Sequence, residues 1–307
     1  MHPAEILSAV AKVDLGFLVL ALLCQVASNW LAGFRWYLTM NILDMLEPPS
    51  FFVKSFFKGT FFNQVLPGSI GGDGIRMLDL KTGGHASSDA VEGVIIDRGI
   101  GLLSLLVICL FGSFLGTGLL PPAVFKGIRY ICISGIVGFG FLTIIFRVPI
   151  FKKIKRIFFL IRISEKIGRV FSAGRRTALI IVLSISVHLL AIFAVYFLSL
   201  SVGQGLGLLL FVVIFPSVVL LTVLPISFAG WGVREGAMVG LFMSAGVDKA
   251  PVLFISLLYG FVVIIASFPG LFFWLIKQKD KRPQHAACLT GRPSINVNIP
   301  NVRLKYE

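Results

Sequence analysis

Two short segments of the chain share residues that together could hold a phosphate group. Residues 65–76 read VLPGSIGGDGIR and residues 223–234 read VLPISFAGWGVR, with seven of twelve positions identical. The identical residues are Val, Leu, Pro, Ser, two Gly and Arg, all in register. Apolar sequences often match by chance, but a match that includes Pro, Gly and Arg indicates an internal repeat.

Each segment predicts a break between two helical arms, with a ligand site at the break. Proline lacks a backbone N–H and disfavours helix at the preceding residue, so the apolar arms should end near Leu66 and Leu224. The N-terminus of the helix that follows carries partial positive charge, and an arginine adds several donors in one plane. Arg76 and Arg234 are therefore candidate phosphate ligands. Alternatively, the Pro and Gly residues only form turns and the arginines extend to lipid headgroups.

Other polar residues near the two segments complete the candidate site, because ionisable residues inside membrane segments are functional candidates by default. The candidate substrate-binding residues are Ser69, Gly72, Asp73, Arg76, Asp97, Arg98, Ser227, Gly230, Arg234 and Glu235. We expect the serines to donate a hydrogen bond or cap a helix, and the glycines to permit close backbone approach. The carboxylates would balance charge or carry a proton.

Some polar residues also have a structural interpretation. Asp97 and Arg98 could equally form a local ion pair at the membrane interface. Arg35 is followed by two aromatic residues near a helix end, a pattern typical of interfacial anchors. His188 stands alone in an apolar segment and is typical of a hydrogen-bonded interior histidine.

Membrane-spanning helices must position these residues, because the chain is too apolar for a soluble domain. It is 57% hydrophobic and 14% charged, whereas soluble domains are about 25% charged. A helix needs about 20 apolar residues to cross the hydrocarbon layer. Five runs qualify: 15–40, 91–115, 127–146, 178–200 and 251–276. The sequence thus predicts an all-α, polytopic integral membrane protein whose first span is retained.

The positive charges are concentrated in two stretches that flank predicted spans. Residues 147–176 and the tail from 277 hold 17 of the 28 Lys and Arg residues. The positive-inside rule explains this distribution without any nucleic acid partner. We therefore expect the loop 147–177 and the tail 277–307 to be cytoplasmic at the cell membrane, the tail disordered, and the loop attractive to anionic lipid headgroups.

The segment between these stretches must cross the membrane an even number of times. It holds two clear spans, so the short arms 207–224 and 236–245 fit a re-entrant hairpin from the outer side. Arm 51–66 and residues 75–90 then form a corresponding hairpin from the cytoplasm, with the N-terminus outside. Residues 51–81 as one broken crossing, with the N-terminus inside, stay an open alternative.

The predicted architecture is a single transmembrane domain, residues 1–276, with two broken helical hairpins related as an inverted repeat. The N-terminal repeat covers about 15–146 and the C-terminal repeat about 178–276. Inverted repeats with broken helices near the midplane are typical of transporters. The chain has no GxxxxGK[ST] motif for a nucleotide and no Cys or His spacing for zinc, so we expect no cofactor and no metal.

Three motifs in order resemble the membrane region of lysylphosphatidylglycerol synthases and of free-standing flippase-like proteins. They are FFNQVLPGSIGGDGIRMLDL, AVEGVIIDRGIGLL and LPISFAGWGVREGAM, and the resemblance extends over about 15–276. In the synthases this region is associated with moving an aminoacylated lipid between leaflets. Only 31 residues follow Ile276, so we expect a stand-alone form without the aminoacyl-transfer domain.

The expected function is translocation of a phosphate-bearing lipid, either a phospholipid or a polyprenyl-phosphate lipid, rather than catalysis. Two alternatives stay open. One is a membrane transferase that acts on a lipid phosphate, and the other is a non-catalytic partner of a lipid-modifying enzyme. Homo-oligomerisation also stays open.

Overall fold

The computed structural model describes residues 13–66, 70–146, 157–223 and 230–289, and within these ranges the chain is helical. The described residues form ten helices: α1 (Leu15–Ile42), α2 (Pro49–Val65), α3 (Ile70–Thr82), α4 (Ser87–Leu115), α5 (Pro122–Ile145), α6 (Phe158–Phe171), α7 (Arg175–Ser201), α8 (Leu208–Thr222), α9 (Val233–Ser244) and α10 (Lys249–Leu289).

Five of these helices are long and apolar enough to cross a membrane, namely α1, α4, α5, α7 and the Lys249–Ile276 part of α10. They coincide with the five apolar runs of the sequence, so the all-α membrane class and the position of each span are confirmed. The last helix continues to Leu289, past the predicted end of its span.

Both repeated segments interrupt the helical chain, as predicted. In the first, α2 ends at Val65 and α3 begins at Ile70. In the second, α8 ends at Thr222 and α9 begins at Val233. The first break is shorter than the Gly-rich stretch 67–74 that contains it, because residues 70–74 already belong to α3. The four helices have 12 to 17 residues and are each shorter than the ~30 Å hydrocarbon layer at about 1.5 Å per residue.

Helices α1 and α7 pack along each other in the most extensive helix–helix contact of the described residues. Helix α2 contacts α1, α3 and α10, while α8 contacts α7, α9 and α4. Helix α3 packs on α4, and α9 packs on α10. The two pairs of short helices are thus held between spans of both halves of the chain.

Buried side chains form two main apolar clusters, one around each repeated segment. The first cluster contains Trp36, Phe52, Leu80 and Ile96, from helices α1 to α4. The second cluster draws mainly on α7 to α10 and includes the phenylalanines of α8. Each repeated segment therefore lies next to its own core.

The predicted basic loop contains a helix, α6, whose cations form ion pairs within the protein. Arg162 and Lys166 both bind Glu92, which is buried at the start of α4, with nitrogen–oxygen distances of 2.9 and 2.6 Å. Arg169 binds Asp44, in the turn after α1, at 2.7 Å. Part of the positive charge of the loop thus fixes α6 against α1 and α4. Residues 147–156 lie outside the described ranges.

Helix α10 touches α2 through Gly270, and this contact leads to a stability prediction. A Cβ atom at Gly270 would collide with the backbone of Phe57 and Lys58. We expect Gly270→Ala to lower the melting temperature of the purified protein in detergent, because overpacking costs about 1–3 kcal/mol. The matched control is Gly240→Ala in α9, where a Cβ would meet open space and alanine favours helix by about 0.5–1 kcal/mol. Equal melting temperatures for both variants would contradict the close approach.

Candidate substrate-binding site

Asp97 binds two arginines from two other helices. Its Oδ1 accepts a hydrogen bond from Arg35 Nε of α1 at 3.1 Å, and its Oδ2 accepts one from Arg76 Nη2 of α3 at 2.6 Å. All three residues are buried. Hydrogen bonds between charged partners are shorter and stronger than neutral ones, so Asp97 ties α1, α3 and α4 together.

Aromatic rings hold the Arg76 guanidinium from its faces. The guanidinium carbon lies 4.0 Å from the centre of the Trp36 ring and 5.2 Å from that of Phe56. Such stacking is favourable and stronger where water is excluded. Arg76 Nη1 also lies 3.4 Å from Asp73 Oδ1. The orientation of Arg76 is therefore set by two rings and two carboxylates.

Arg98 closes the cluster at its exposed edge. Its Nε lies 2.9 Å from Asp73 Oδ2 and its Nη2 lies 3.0 Å from Oδ1, a bidentate pair. The Arg98 side chain is 44% exposed and that of Asp73 17%. The local Asp97–Arg98 pair considered from the sequence is wrong, because consecutive residues of a helix project about 100° apart and each side chain binds a residue of another helix. The cluster of Arg35, Asp73, Arg76, Asp97 and Arg98, called the arginine cluster below, holds three cations and two anions.

Arg35 is not an interfacial anchor, contrary to the sequence expectation. It is 6% exposed, and besides Asp97 it reaches Ser184 Oγ of α7 at 3.5 Å. A signal for this role was present in the sequence of α1. The buried polar residues of that helix are related by spacings of three, four or seven positions, and they are Gln25, Ser28, Asn29, Arg35 and Thr39. This spacing places them on one helix face, which predicts an inward-facing polar stripe.

The second repeated segment forms a separate and electrically balanced site. Arg234 donates to Glu235 Oε1 from Nε at 3.0 Å and from Nη2 at 2.5 Å. Glu235 Oε2 accepts the backbone N–H of Gly232 at 2.5 Å, which caps α9. The Arg234 guanidinium also lies near the rings of Trp231 and Tyr259, at 4.9 and 5.7 Å. One cation and one anion thus neutralise each other between α9 and α10.

The glycines shared by the two segments have different roles. Gly72 lies within α3 and donates its N–H to Asn63 Oδ1 at 2.8 Å. A Cβ atom there would collide with the carbonyl oxygen of Gly59, so this glycine permits close helix packing. Gly230 has a φ of +82°, which side-chain-bearing residues rarely adopt. The first glycine therefore serves packing, and the second serves a turn.

The structure brings only part of the predicted site together. Asp73, Arg76, Asp97 and Arg98 meet on α3 and α4, and Arg234 meets Glu235 on α9. Within the described ranges these are two clusters that contact different helices, with α10 packed against both α2 and α9. Ser69 and Ser227 lie outside the described residues. His188 Nε2 lies 3.0 Å from the carbonyl oxygen of Gly101, as expected for a hydrogen-bonded interior histidine.

Comparison with known protein families identifies the family of this chain. A family model described as "Lysylphosphatidylglycerol synthase TM region" matches residues 1–270. The protein belongs to this family. No curated protein and no solved structure matched the chain. The lysylphosphatidylglycerol synthase TM family consists of membrane proteins related to lipid modification, which agrees with the resemblance found in the motifs and with the five spans.

For this family member, the arrangement predicts that stability depends on Asp97. We expect Asp97→Asn to lose most thermal stability in detergent, because breaking a buried ion pair leaves unpaired charge and costs about 3–5 kcal/mol. The control is Asp44→Asn, whose carboxylate is 75% exposed and pairs with Arg169. Exposed pairs contribute only about 0–1 kcal/mol. Thermal size-exclusion assays that give both variants the same midpoint would contradict the central role of Asp97.

Proposed function

We propose that the protein moves a phosphate-bearing lipid headgroup between the two leaflets of the membrane. The observation that carries this proposal is the arginine cluster, which places an excess of positive charge next to membrane-spanning helices and leaves Arg98 partly exposed. An anionic headgroup is the natural ligand for such a site, because arginine binds phosphate with two parallel hydrogen bonds. Membership of a family related to lipid modification supports a lipid as the substrate.

Asp73 would act as a placeholder for the headgroup. It accepts two hydrogen bonds from Arg98, in the bidentate geometry that a phosphate would use. It is also the more accessible of the two aspartates of the cluster. A phosphate that replaces Asp73 would face both Arg98 and Arg76. Asp97 would keep Arg76 in position throughout, because it is buried beneath the cluster and bound to Arg35 as well.

The packing of the helices supports an internal structural repeat, and we propose that it is inverted, as transporters with alternating access use it. Exchange of α1 with α7, α2 with α8, α3 with α9 and α4 with α10 leaves the pattern of contacts unchanged. The contact of α2 with α10 becomes that of α8 with α4, and the contact of α3 with α4 becomes that of α9 with α10. The contact between α1 and α7 maps onto itself. Helices α5 and α6 have no counterpart among the described helices of the second half.

The short helices support the proposal that the two repeats contain re-entrant hairpins. The pair α2–α3 has 17 and 13 residues, and the pair α8–α9 has 15 and 12. The members of each pair pack on each other and meet at a Pro- and Gly-containing break. Irregular backbone at membrane depth is tolerated where it is buried in protein or lines a wet cavity. A headgroup path beside these breaks would supply such a wet cavity.

The carboxylates favour translocation over the alternative of a membrane transferase. A transferase would need a general base that is free to take a proton from its substrate. Asp73 and Asp97 both bind arginines, and Glu235 binds Arg234 and a backbone N–H. Any of them would have to break an ion pair before it could act as a base.

The proposal is tested by lipid movement in liposomes. We expect Arg98→Gln to slow the movement of a fluorescent phospholipid by about tenfold, because a lost hydrogen bond to a charged group costs ~1.5–3 kcal/mol and each ~1.4 kcal/mol is tenfold. Arg76→Ala should slow it by roughly ten- to a hundredfold for the same reason, with partial rescue in Arg76→Lys. We expect Arg234→Ala to act in the same direction.

The matched control is Arg175→Gln, which removes an exposed arginine at the start of α7, away from the arginine cluster. Its rate should equal that of the unchanged protein. Replacement of Arg98 is a sharper test than replacement of Arg76, because Arg98 is partly exposed and its loss leaves Asp97 bound to Arg35 and Arg76. Normal movement by a folded Arg98→Gln protein would refute the headgroup site.

The proposed orientation can be tested by cysteine labelling in a background without native cysteines. Asp248 follows the turn after α9, which adjoins the C-terminal end of α4, whereas Ser172 follows α6, which binds Glu92 near the N-terminal end of α4. We expect a cysteine at 248 to react in intact cells, and one at 172 to react only after the membrane is permeabilised. Reaction of both cysteines in intact cells would overturn the cytoplasmic placement of the basic loop.

A further inference from the structure

A cavity with a cationic wall lies at the end of the bundle opposite α6. It has a volume of about 630 Å³ and lies between the turn that joins α4 to α5, the first turns of α5 and the turn after α9. The C-terminal end of α4 lies 23 residues beyond Glu92, the residue that α6 binds, or about 35 Å away at 1.5 Å per residue. The cavity is therefore distinct from the arginine cluster, whose α4 members, Asp97 and Arg98, lie in the first half of that helix.

The charged side chains of the cavity wall are both cations. Lys126 and Arg129 contribute to the wall, and the remaining lining residues are uncharged. Lys126 is exposed and has no ion pair within the part of the chain that the structure describes. Arg129 donates hydrogen bonds to Ser113, with Nη2 at 2.7 Å from the carbonyl oxygen and Nε at 3.3 Å from Oγ, and it pairs with no carboxylate among the described residues. Beyond the wall, the neighbouring Asp248 and Lys249 carry opposite charges, so the local excess is positive.

Exposed apolar side chains adjoin the cavity on the lipid-facing surface. The Arg129 guanidinium lies 4.3 Å from the ring centre of Phe114, which is 56% exposed at the end of α4. Leu115 and Tyr130 are also largely exposed. A cation that rests on an exposed ring at the end of a membrane span is suited to the headgroup region, where the acyl chains of a bound lipid would lie along the apolar surface.

We propose that this cavity binds the anionic headgroup of a phospholipid in the leaflet opposite α6. The charge of Lys126 and Arg129 selects a negative headgroup, and the adjoining exposed rings select a lipid over a soluble anion. The inference rests on the proposed function, in which it supplies the headgroup site on the far side of the membrane. Lipid binding at the cavity can nevertheless be measured without any movement between leaflets.

The test uses the full chain in phosphatidylcholine vesicles that contain a small fraction of photoactivatable phosphatidylglycerol. After illumination, adducts on the peptide 113–131 are quantified by mass spectrometry. Each basic residue near the surface contributes about a fivefold gain for anionic lipid, so Lys126→Gln should lower the adduct about fivefold and Lys126→Gln/Arg129→Gln about thirtyfold. Lys126→Arg should keep it, and Arg175→Gln should leave it unchanged.

Competition identifies the ligand. Unlabelled phosphatidylglycerol should suppress the adduct, whereas extra phosphatidylcholine and soluble glycerol phosphate should not. An unchanged adduct in Lys126→Gln, or equal competition by phosphatidylcholine, would overturn the inference. Competition by glycerol phosphate would make the cavity a site for soluble anions and would equally refute a lipid. Lys126 is exposed and forms no ion pair with the described residues, so we expect its replacement to leave the fold intact.

The same adduct separates this inference from the proposed function. We expect Arg98→Gln to keep the adduct on 113–131 while it slows lipid movement. Lack of movement in the unchanged protein, together with a normal adduct, would refute translocation and leave the headgroup cavity standing. If the unchanged protein forms no adduct on 113–131 but moves lipid normally, the headgroup cavity would be refuted and translocation would stand.

Discussion

The structure depends on one buried carboxylate that neutralises two arginines where water is scarce. An isolated charge in apolar surroundings is very costly, so Arg35 and Arg76 can only be buried because Asp97 binds both. This requirement fixes the relative positions of α1, α3 and α4. It also leaves one carboxylate, Asp73, to serve Arg98 and part of Arg76. The excess cation, Arg98, therefore lies at the exposed edge of the cluster.

Close backbone packing complements this electrostatic constraint. Helices in a membrane gain little from the hydrophobic effect and associate through small residues that permit close approach. Gly72 against Gly59 brings α3 onto α2, and Gly270 against Phe57 brings α10 onto the same helix. Gly260 of α10 leaves room for the Arg234 side chain of α9. Helix α10 thus holds both short-helix pairs with two glycines that are ten residues apart, or about 15 Å along the helix.

The sequence predicted the features that follow from local chemistry. Apolar length was enough to place the five spans, and proline and glycine were enough to place both interruptions. The partner of Asp97 could not be found in this way, because Arg35 lies 62 positions earlier and its aromatic neighbours suggested an interfacial anchor. The polar stripe of α1 contained the missing information, since its spacing identifies a buried face. Charge pairing across helices depends on packing, which local patterns do not report.

The two repeated segments also show why a repeat in sequence need not be a repeat in chemistry. Asp73 and Trp231 occupy the same position of the shared pattern, three residues before the arginine. In the first half this position supplies a carboxylate that links Arg76 to Arg98. In the second half it supplies an aromatic face for Arg234, and the neutralising carboxylate comes from the next residue, Glu235.

This exchange leaves excess positive charge in one half and balanced charge in the other. A headgroup that binds by charge would be held mainly by the first half, while the second half contributes a stacked arginine that is already satisfied by its neighbour. Equal affinity in both halves would make the two ends of a path equivalent. The difference in charge would instead make them unequal, so in the proposed translocation the substituted position would decide which half holds the headgroup more tightly.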